Sequence, residues 1–190
     1  MKYADGSAKI IEYRQQIAAI RQKMRETQQA VEPQQVGSYE FQTTAGAVHL
    51  LQLFGKHEDL ILIHNMGTSC SSCTLWADGY NGIHHHIASR AAFVVSSPDT
   101  PDTQREFAAS RGWTFPIVSH AGTTFAADMG YRSSKGGWMP GISVFRRMDD
   151  KVVRVSDAKF SPGDDFCAIW HMFDMLPGGA GEWRPKKQYP

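Results

Sequence analysis

Two of the three cysteines in this chain of 190 residues, Cys70 and Cys73, stand three apart in "MGTSCSSCTLWADGYNG" (66–82). The stretch directly follows an unbroken apolar run, "LILIHN" (60–65). A cysteine opening a helix faces backbone N–H groups without partners and the positive end of the helix dipole, both of which favour thiolate over thiol. The second sulfur of a Cys-x-x-Cys pair then lies one turn further in, close enough to close a small disulfide ring. Such a pair attacks a substrate disulfide through Cys70 and resolves the mixed disulfide through Cys73. The hydroxyls of Ser71 and Ser72 can donate to a thiolate. His64 ends the apolar run and is a candidate to raise the thiolate fraction or shuttle its proton; a hydrogen-bonded structural histidine is the alternative.

Two other readings of the pair stay open. Structural zinc wants four ligands, and the remaining candidates, His84, His85 and His86, come ten or more residues after Cys73. Consecutive histidines on a helix diverge by about 100°, so at most one of the three would point at the cysteines. The other reading is inert: two small thiols that merely pack. Cys167, beside Phe166 on an apolar helix, reads as packing. No metal or cofactor is expected.

The elements around the pair follow from hydrophobic period. Ile10, Tyr13, Ile17, Ile20 and Met24 recur at alternating steps of three and four within 7–30, a narrow seam on a helix that Pro33 ends. Such a seam suits an arm lying on the main domain or a coiled-coil contact between two copies. "YEFQTTAGAVHLLQLF" (39–54) reads as a hairpin around Gly46 followed by a short apolar turn. "LILIHN" and "AAFVVSS" (91–97) are continuous apolar runs, as strands buried on both faces require. Residues 70–89 between them are helical, with Gly79 and Gly82 as break points. Asp99 or Thr100, with Pro101 behind, caps a helix that ends at Gly112. "TFPIVS" (114–119) is a third short strand, and "TTFAADMGY" (123–131) a short helix. "GISVFRR" and "KVVRVSD" flank "MDD" as an antiparallel hairpin over 141–157. Phe166, Ile169, Trp170, Phe173 and Leu176 mark a closing helix. The order predicts an α/β fold: a central mixed sheet with helices on both faces and an N-terminal helical arm. The cysteine pair sits at the carboxyl end of a central strand, where open α/β sheets place their chemistry. Expected boundaries are 1–35 for the arm, 36–178 for the main domain and 179–190 for a tail.

Composition narrows the function classes. The chain is 42% hydrophobic and 21% charged with a formal charge of +1, ordinary for a globular protein, and nothing in that balance suggests nucleic acid or a polybasic membrane patch. No apolar run approaches the length of a membrane span, and the first residues lack the apolar core of a signal peptide. Cytoplasmic placement is expected.

With strand–CxxC–helix, the hairpin led by Pro140 and the closing helix assembled, the chain resembles thioredoxin-fold proteins, and in outline peroxiredoxins. More narrowly it resembles a bacterial domain-of-unknown-function family described as predicted dithiol–disulfide oxidoreductases. The resemblance lies in "EYRQQIAAIRQKM", "YEFQTTAGAVHLLQLF", "LILIHNM", "CSSCTLWADGYNG", "GWTFPIVS", "PGISVF" and "WHMFDMLPGG". It implies Cys70 as nucleophile, Cys73 as resolving thiol and Pro140 as a cis-proline facing them, with a protein or small-molecule disulfide or thiol as substrate. Ser69 replaces the aromatic residue that thioredoxins place before the first cysteine, and Ser71-Ser72 replaces their Gly-Pro. A peroxidase is the alternative; aligned that way, Cys73 takes the peroxidatic position, Cys70 replaces a threonine, and no arginine stands near Met139-Pro140-Gly141. A non-catalytic thioredoxin-fold binding protein is the other.

Overall fold

A computed structural model describes all 190 residues, which fall into two units, Met1–Pro33 and Gln34–Pro190. The first is α1 (Tyr3–Ala30), a helix of 28 residues with none buried. It stops before Pro33, whose ring and missing N–H cannot extend it. Its seam residues Ile10, Tyr13, Ile17, Ile20 and Met24 are all about half exposed.

The second unit is built on an eight-stranded mixed sheet. Its strands are β1 (Gln34–Val36), β2 (Glu40–Thr43), β3 (Gly46–His49), β4 (Asp59–His64), β5 (Ala92–Ser97), β6 (Ile117–Ser119), β7 (Gly141–Met148) and β8 (Lys151–Lys159). They lie in the order β1-β8-β7-β4-β5-β6-β2-β3. β5 pairs in parallel with β4 and β6, and the remaining pairings are antiparallel. The helices are α2 (Ser71–Asn81), α3 (His84–Ala88), α4 (Pro101–Arg111), α5 (Phe125–Asp128) and α6 (Ala168–Phe173). β4 is central because its Leu and Ile side chains demand cover on both faces, and every β5 residue is buried as well. The α2 helix stops at Asn81 with Gly82 as its cap, so Gly82 breaks the 70–89 segment and Gly79 does not. The closing helix is shorter than its apolar stripe suggested: Phe166 and Leu176 lie outside α6.

Strand alternation divides the core in two. One face carries Leu60, Leu62, Val94 and Phe145 against Phe125 of α5 and the 3-10 turn Leu50–Phe54. The other carries Ile63, Phe93 and Val95 against Trp76, Ala77 and Tyr80 of α2 and Trp170 of α6. Helical cover on both faces agrees with the sequence. Where β4 begins, Asp59 accepts from Arg146 Nε at 2.8 Å and Arg90 Nη1 at 2.9 Å, tying β4 to β7 and to the entry of β5.

The first face also buries two histidines. His64 Nε2 lies 2.9 Å from Ser143 Oγ, and His120 Nδ1 lies 2.8 Å from Ser96 Oγ. The other nitrogen of each ring, His64 Nδ1 and His120 Nε2, has no partner. Burial holds His64 well below its ordinary value of 6.5, helped by His120 and Arg154. Burial, with Arg132 nearby, lowers His120 to about 4. The unfolded chain takes up both protons as pH falls through about 6.5, whereas the folded chain resists until far lower pH. Their contribution to stability is therefore complete above that pH and is lost below it. The loss is about 1.4 kcal/mol per pH unit for each histidine that titrates only when unfolded. The urea midpoint should drop clearly between pH 7 and pH 5; an unchanged midpoint would contradict neutral burial of these rings.

Candidate dithiol site

β4 ends at His64, and residues 65–70 carry the chain off the sheet to α2. Hydrogen bonds fix that crossing: Asn65 N to Ser96 O at 2.8 Å, Gly67 N to Asn65 Oδ1 at 2.8 Å, Thr68 N to Asp99 Oδ2 at 2.8 Å, and Cys70 N to Gly67 O at 3.1 Å. Gly67 has φ +101°, and a Cβ there would stand 2.9 Å from Asp99 Oδ2, so both backbone and space require glycine. Asp99, a candidate cap in the sequence, holds the cysteine loop instead. Thr100 caps α4, accepting from Thr103 N at 3.3 Å.

Cys70 is the residue that caps α2. Its Sγ accepts the Cys73 N–H at 3.0 Å, in the place an Asp or Ser oxygen would take. Cys70 is partly exposed, Cys73 is buried, and both are free thiols. Cys73 Sγ accepts from Met66 N at 3.5 Å. The Cys73 thiol donates to the Cys70 sulfur; this bond, against the opposing effect of burial, combines with the Cys73 and Ser72 amides and the Lys187 ammonium to bring Cys70 down to about 7. Cys73 moves the other way, held up by that same bond and then by burial. Cys70 is thus the more exposed and the more acidic of the two thiols, and Cys73 the one that holds its proton.

The residues after the pair anchor α2 rather than react. Trp76 Nε1 donates to Asp164 Oδ1 at 3.3 Å. Asp78 accepts from Arg111 and, at 2.8 Å, from Trp113 Nε1. Asn81 Nδ2 donates to Gly112 O at 2.9 Å, and its Oδ1 accepts from Thr114 N at 2.9 Å. "WADGYNG" thus clamps the cysteine helix to the loop between α4 and β6 and to the segment before α6. Residues 179–190, a tail in the sequence reading, are tied to the same body. Trp183 packs edge-on against Trp170 and Phe173, with centroids 5.5 and 4.9 Å apart, and Arg111 donates to the Lys187 carbonyl. The charge of Lys187 is the smallest of the influences that lower Cys70, one that sequence reasoning missed, since "RPKK" in a terminal segment carries no signal of where it folds back. Lys187→Ala should slow alkylation of Cys70 at pH 6 by a factor of about two to five, the range of an exposed charge pair, and 1 M salt should shrink the difference. Equal rates in both proteins would remove Lys187 from the site.

Other expectations require correction. His64 does not reach the cysteines: alternation along β4 turns its ring to the face opposite α2. There it stacks on Tyr131, centroids 3.7 Å apart and planes 12° apart. Pro140 does stand at the same end of the sheet, since β7 pairs Gly141 with His64. It is not cis, however, because no peptide bond in the chain is cis. Met139 N donates to Tyr131 O and Pro140 O accepts from Phe160 N, a pairing on both sides that an extended trans chain satisfies. His84 Nδ1 lies 3.2 Å from Asn81 O, away from the pair, and no group of three or more His, Cys, Asp or Glu side chains is placed to hold a metal ion. Cys167 is buried in the second core, as its apolar setting suggested.

A parallel β4–β5–β6 centre bordered by antiparallel β7 and β8, with a helix starting off the end of β4, is a thioredoxin-like fold. Within that class the chain belongs to the family described as bacterial protein of unknown function (DUF899), which matches residues 8–190. Solved structures of similar fold include the peroxidoxin BcpB of Mycobacterium tuberculosis, with 24% identity and TM-score 0.53 over 72% of this chain and 88% of that one. PrxQ of Xylella fastidiosa, in a cysteine-to-serine form, has 15% identity and TM-score 0.56 over 66% and 81%. Reduced Prx3 of Vibrio vulnificus has 12% identity and TM-score 0.56 over 70% and 89%. No curated protein is detectably similar in sequence. No helix is long and apolar enough to cross a membrane.

Proposed function

We propose that Cys70 and Cys73 form a redox dithiol that reduces, or in reverse forms, disulfides in a protein or small-molecule substrate. The observation that carries this reading is the asymmetry of the pair: a partly exposed sulfur lowered to about 7 above a buried sulfur that keeps its proton. The Cys70 thiolate attacks one sulfur of the substrate disulfide, a mixed disulfide forms, and the first substrate thiolate leaves and is protonated. Once Cys70 is no longer anionic, the main cause of the high Cys73 value is gone. Cys73 then gives up its proton and attacks Cys70 Sγ, releasing the second substrate thiol. Two electrons pass to the substrate, and the protein is left with a Cys70–Cys73 disulfide that an external dithiol must reduce. This cycle suits a compartment that keeps thiols reduced, such as the cytoplasm.

Peroxiredoxins among the structural neighbours raise a second reading, in which Cys73 attacks peroxide. Its burial and retained proton weigh against that, because the thiolate is the reacting form. One experiment separates the two. With a dithiol reductant supplied, the protein should turn over a small aromatic disulfide much faster than hydrogen peroxide, and mild oxidation should remove two hydrogens in an intramolecular Cys70–Cys73 bond. Rapid peroxide consumption with oxidation confined to Cys73, or two thiols that stay free, would overturn the proposal.

A further inference from the structure

The dithiol end of the sheet offers an extended polypeptide little to pair with. Such peptides are held by free N–H and C=O groups along a strand edge. The edges of this sheet are β1 and β3, whereas β4 is interior, bonded to β5 on one side and β7 on the other. In the loop that follows β4, the N–H groups of Asn65, Met66, Gly67, Thr68 and Cys70 all donate within the chain. On the β7 side, Met139 N donates to Tyr131 O, Pro140 has no N–H, and Pro140 O accepts from Phe160 N. Recognition of a substrate is left to side chains and to shape.

The shape is a narrow cleft between α2 and α4, about 300 Å³ with its open mouth included. It shares residues with the cysteine loop: Thr68 lines it, and so does Thr74, whose Oγ1 donates to the Cys70 carbonyl at 3.0 Å. Val95, Phe107 and Ile117 supply an apolar wall, and the one charged group in the lining is Asp99. Asp99 Oδ2 accepts from Thr68 N at 2.8 Å and from Ser97 Oγ at 3.3 Å, and no cation is bonded to it. A carboxylate without a countercharge beside an apolar wall attracts an ammonium group and repels a second carboxylate. Lys187, the cation near Cys70, is not part of this lining.

We propose that the substrate is a low-molecular-weight disulfide whose halves are short aliphatic chains ending in an ammonium group, one half seated in this cleft with its cation at Asp99. The inference rests on the dithiol reading and specifies its substrate. The Cys70 thiolate attacks one substrate sulfur, and the first aminothiol leaves as a thiolate and takes up a proton. Cys73 then attacks Cys70 Sγ and releases the second aminothiol. The chain ends as the Cys70–Cys73 disulfide, and an external dithiol returns its two electrons.

The full chain, reduced beforehand and freed of reductant, is mixed with cystamine, hydroxyethyl disulfide, dithiodipropionate or insulin, and the oxidised chain is followed by mass. Each rate is divided by that of mercaptoethanol with the same disulfide, which removes intrinsic reactivity. The normalised rate for cystamine should exceed that for dithiodipropionate by about tenfold or more, and 1 M salt should shrink the gap. Hydroxyethyl disulfide should fall between them, and insulin should be slowest. Asp99→Asn keeps an acceptor for Thr68 N and should cut the preference to about threefold or less, since any effect on Cys70 itself cancels in the ratio. Equal rates across the charges, a faster dianion, a faster insulin, or a preference that Asp99→Asn leaves unmoved would overturn the substrate assignment alone. A chain that none of the four disulfides oxidises would overturn the dithiol reading, and this assignment with it.

Discussion

Cys70→Ser lowers the rate of substrate-disulfide reduction by roughly three orders of magnitude or more, because a hydroxyl at the cap position is not ionised where the thiol is. Cys73→Ser has a different outcome: the first attack proceeds, nothing resolves it, and a mixed disulfide with Cys70 accumulates one-to-one in the intact mass spectrum. The two positions also differ in what they do to acidity. The strongest influence lowering Cys70 is the bond from the Cys73 side chain. Cys73→Ala, which removes that donor, should therefore shift the pH midpoint of Cys70 alkylation upward. Cys73→Ser retains a hydroxyl donor and should shift it less. Equal turnover in Cys70→Ser and Cys73→Ser would refute the assignment of nucleophile and resolving thiol. A midpoint unmoved by Cys73→Ala would refute the sulfur–sulfur bond as the cause of the thiolate.

The parts of this site that were legible in the sequence are the local ones. A continuous apolar run forces β4 to the centre, cap chemistry starts α4 at Pro101, and a three-residue spacing puts two sulfurs on one helical turn. Each of these is decided within a few residues. What was not legible depends on distant partners. Asp99 looks as good a helix cap as Thr100 until Thr68 N is seen to need an acceptor. His64 is adjacent in sequence to the cysteine loop, yet the two-residue alternation of a strand turns its ring against Tyr131 and Ser143 instead. The short β1 carries no periodic signal of its own and is fixed only by its antiparallel register with β8, Gln35 opposite Val153. In "CSSCTLWADGYNG" the second half fastens the cysteine helix in place. Trp76, Asp78 and Asn81 are demanded by the walls to which the helix is fastened.

Gly141→Ala, one methyl group away from the natural chain, should be among the most destabilising single substitutions in the second unit. A Cβ at 141 would overlap Tyr131 Cε1 and stand 2.5 Å from the Ala158 carbonyl oxygen. Neither can retreat easily. Tyr131 is fully buried and its hydroxyl donates to Ile142 O at 2.8 Å and Ala158 O at 3.1 Å. Its ring is also stacked on His64. Ala158 belongs to β8, whose ladder with β7 passes through Gly141 itself. Relief therefore requires β7 and β8 to part where β7 meets β4, and overpacking against such fixed atoms costs about 3 kcal/mol or more. In a domain of this size that corresponds to a melting point lower by roughly 6–12 °C. The two contacts can be told apart. Shrinking the ring with Tyr131→Leu removes the first obstacle and leaves the carbonyl, so Gly141→Ala should still destabilise in that background, though by less. If the substitution shifts the urea midpoint negligibly in either background, the packing described between β7, β8 and Tyr131 is wrong, and with it the placement of Pro140 at the dithiol end of the sheet.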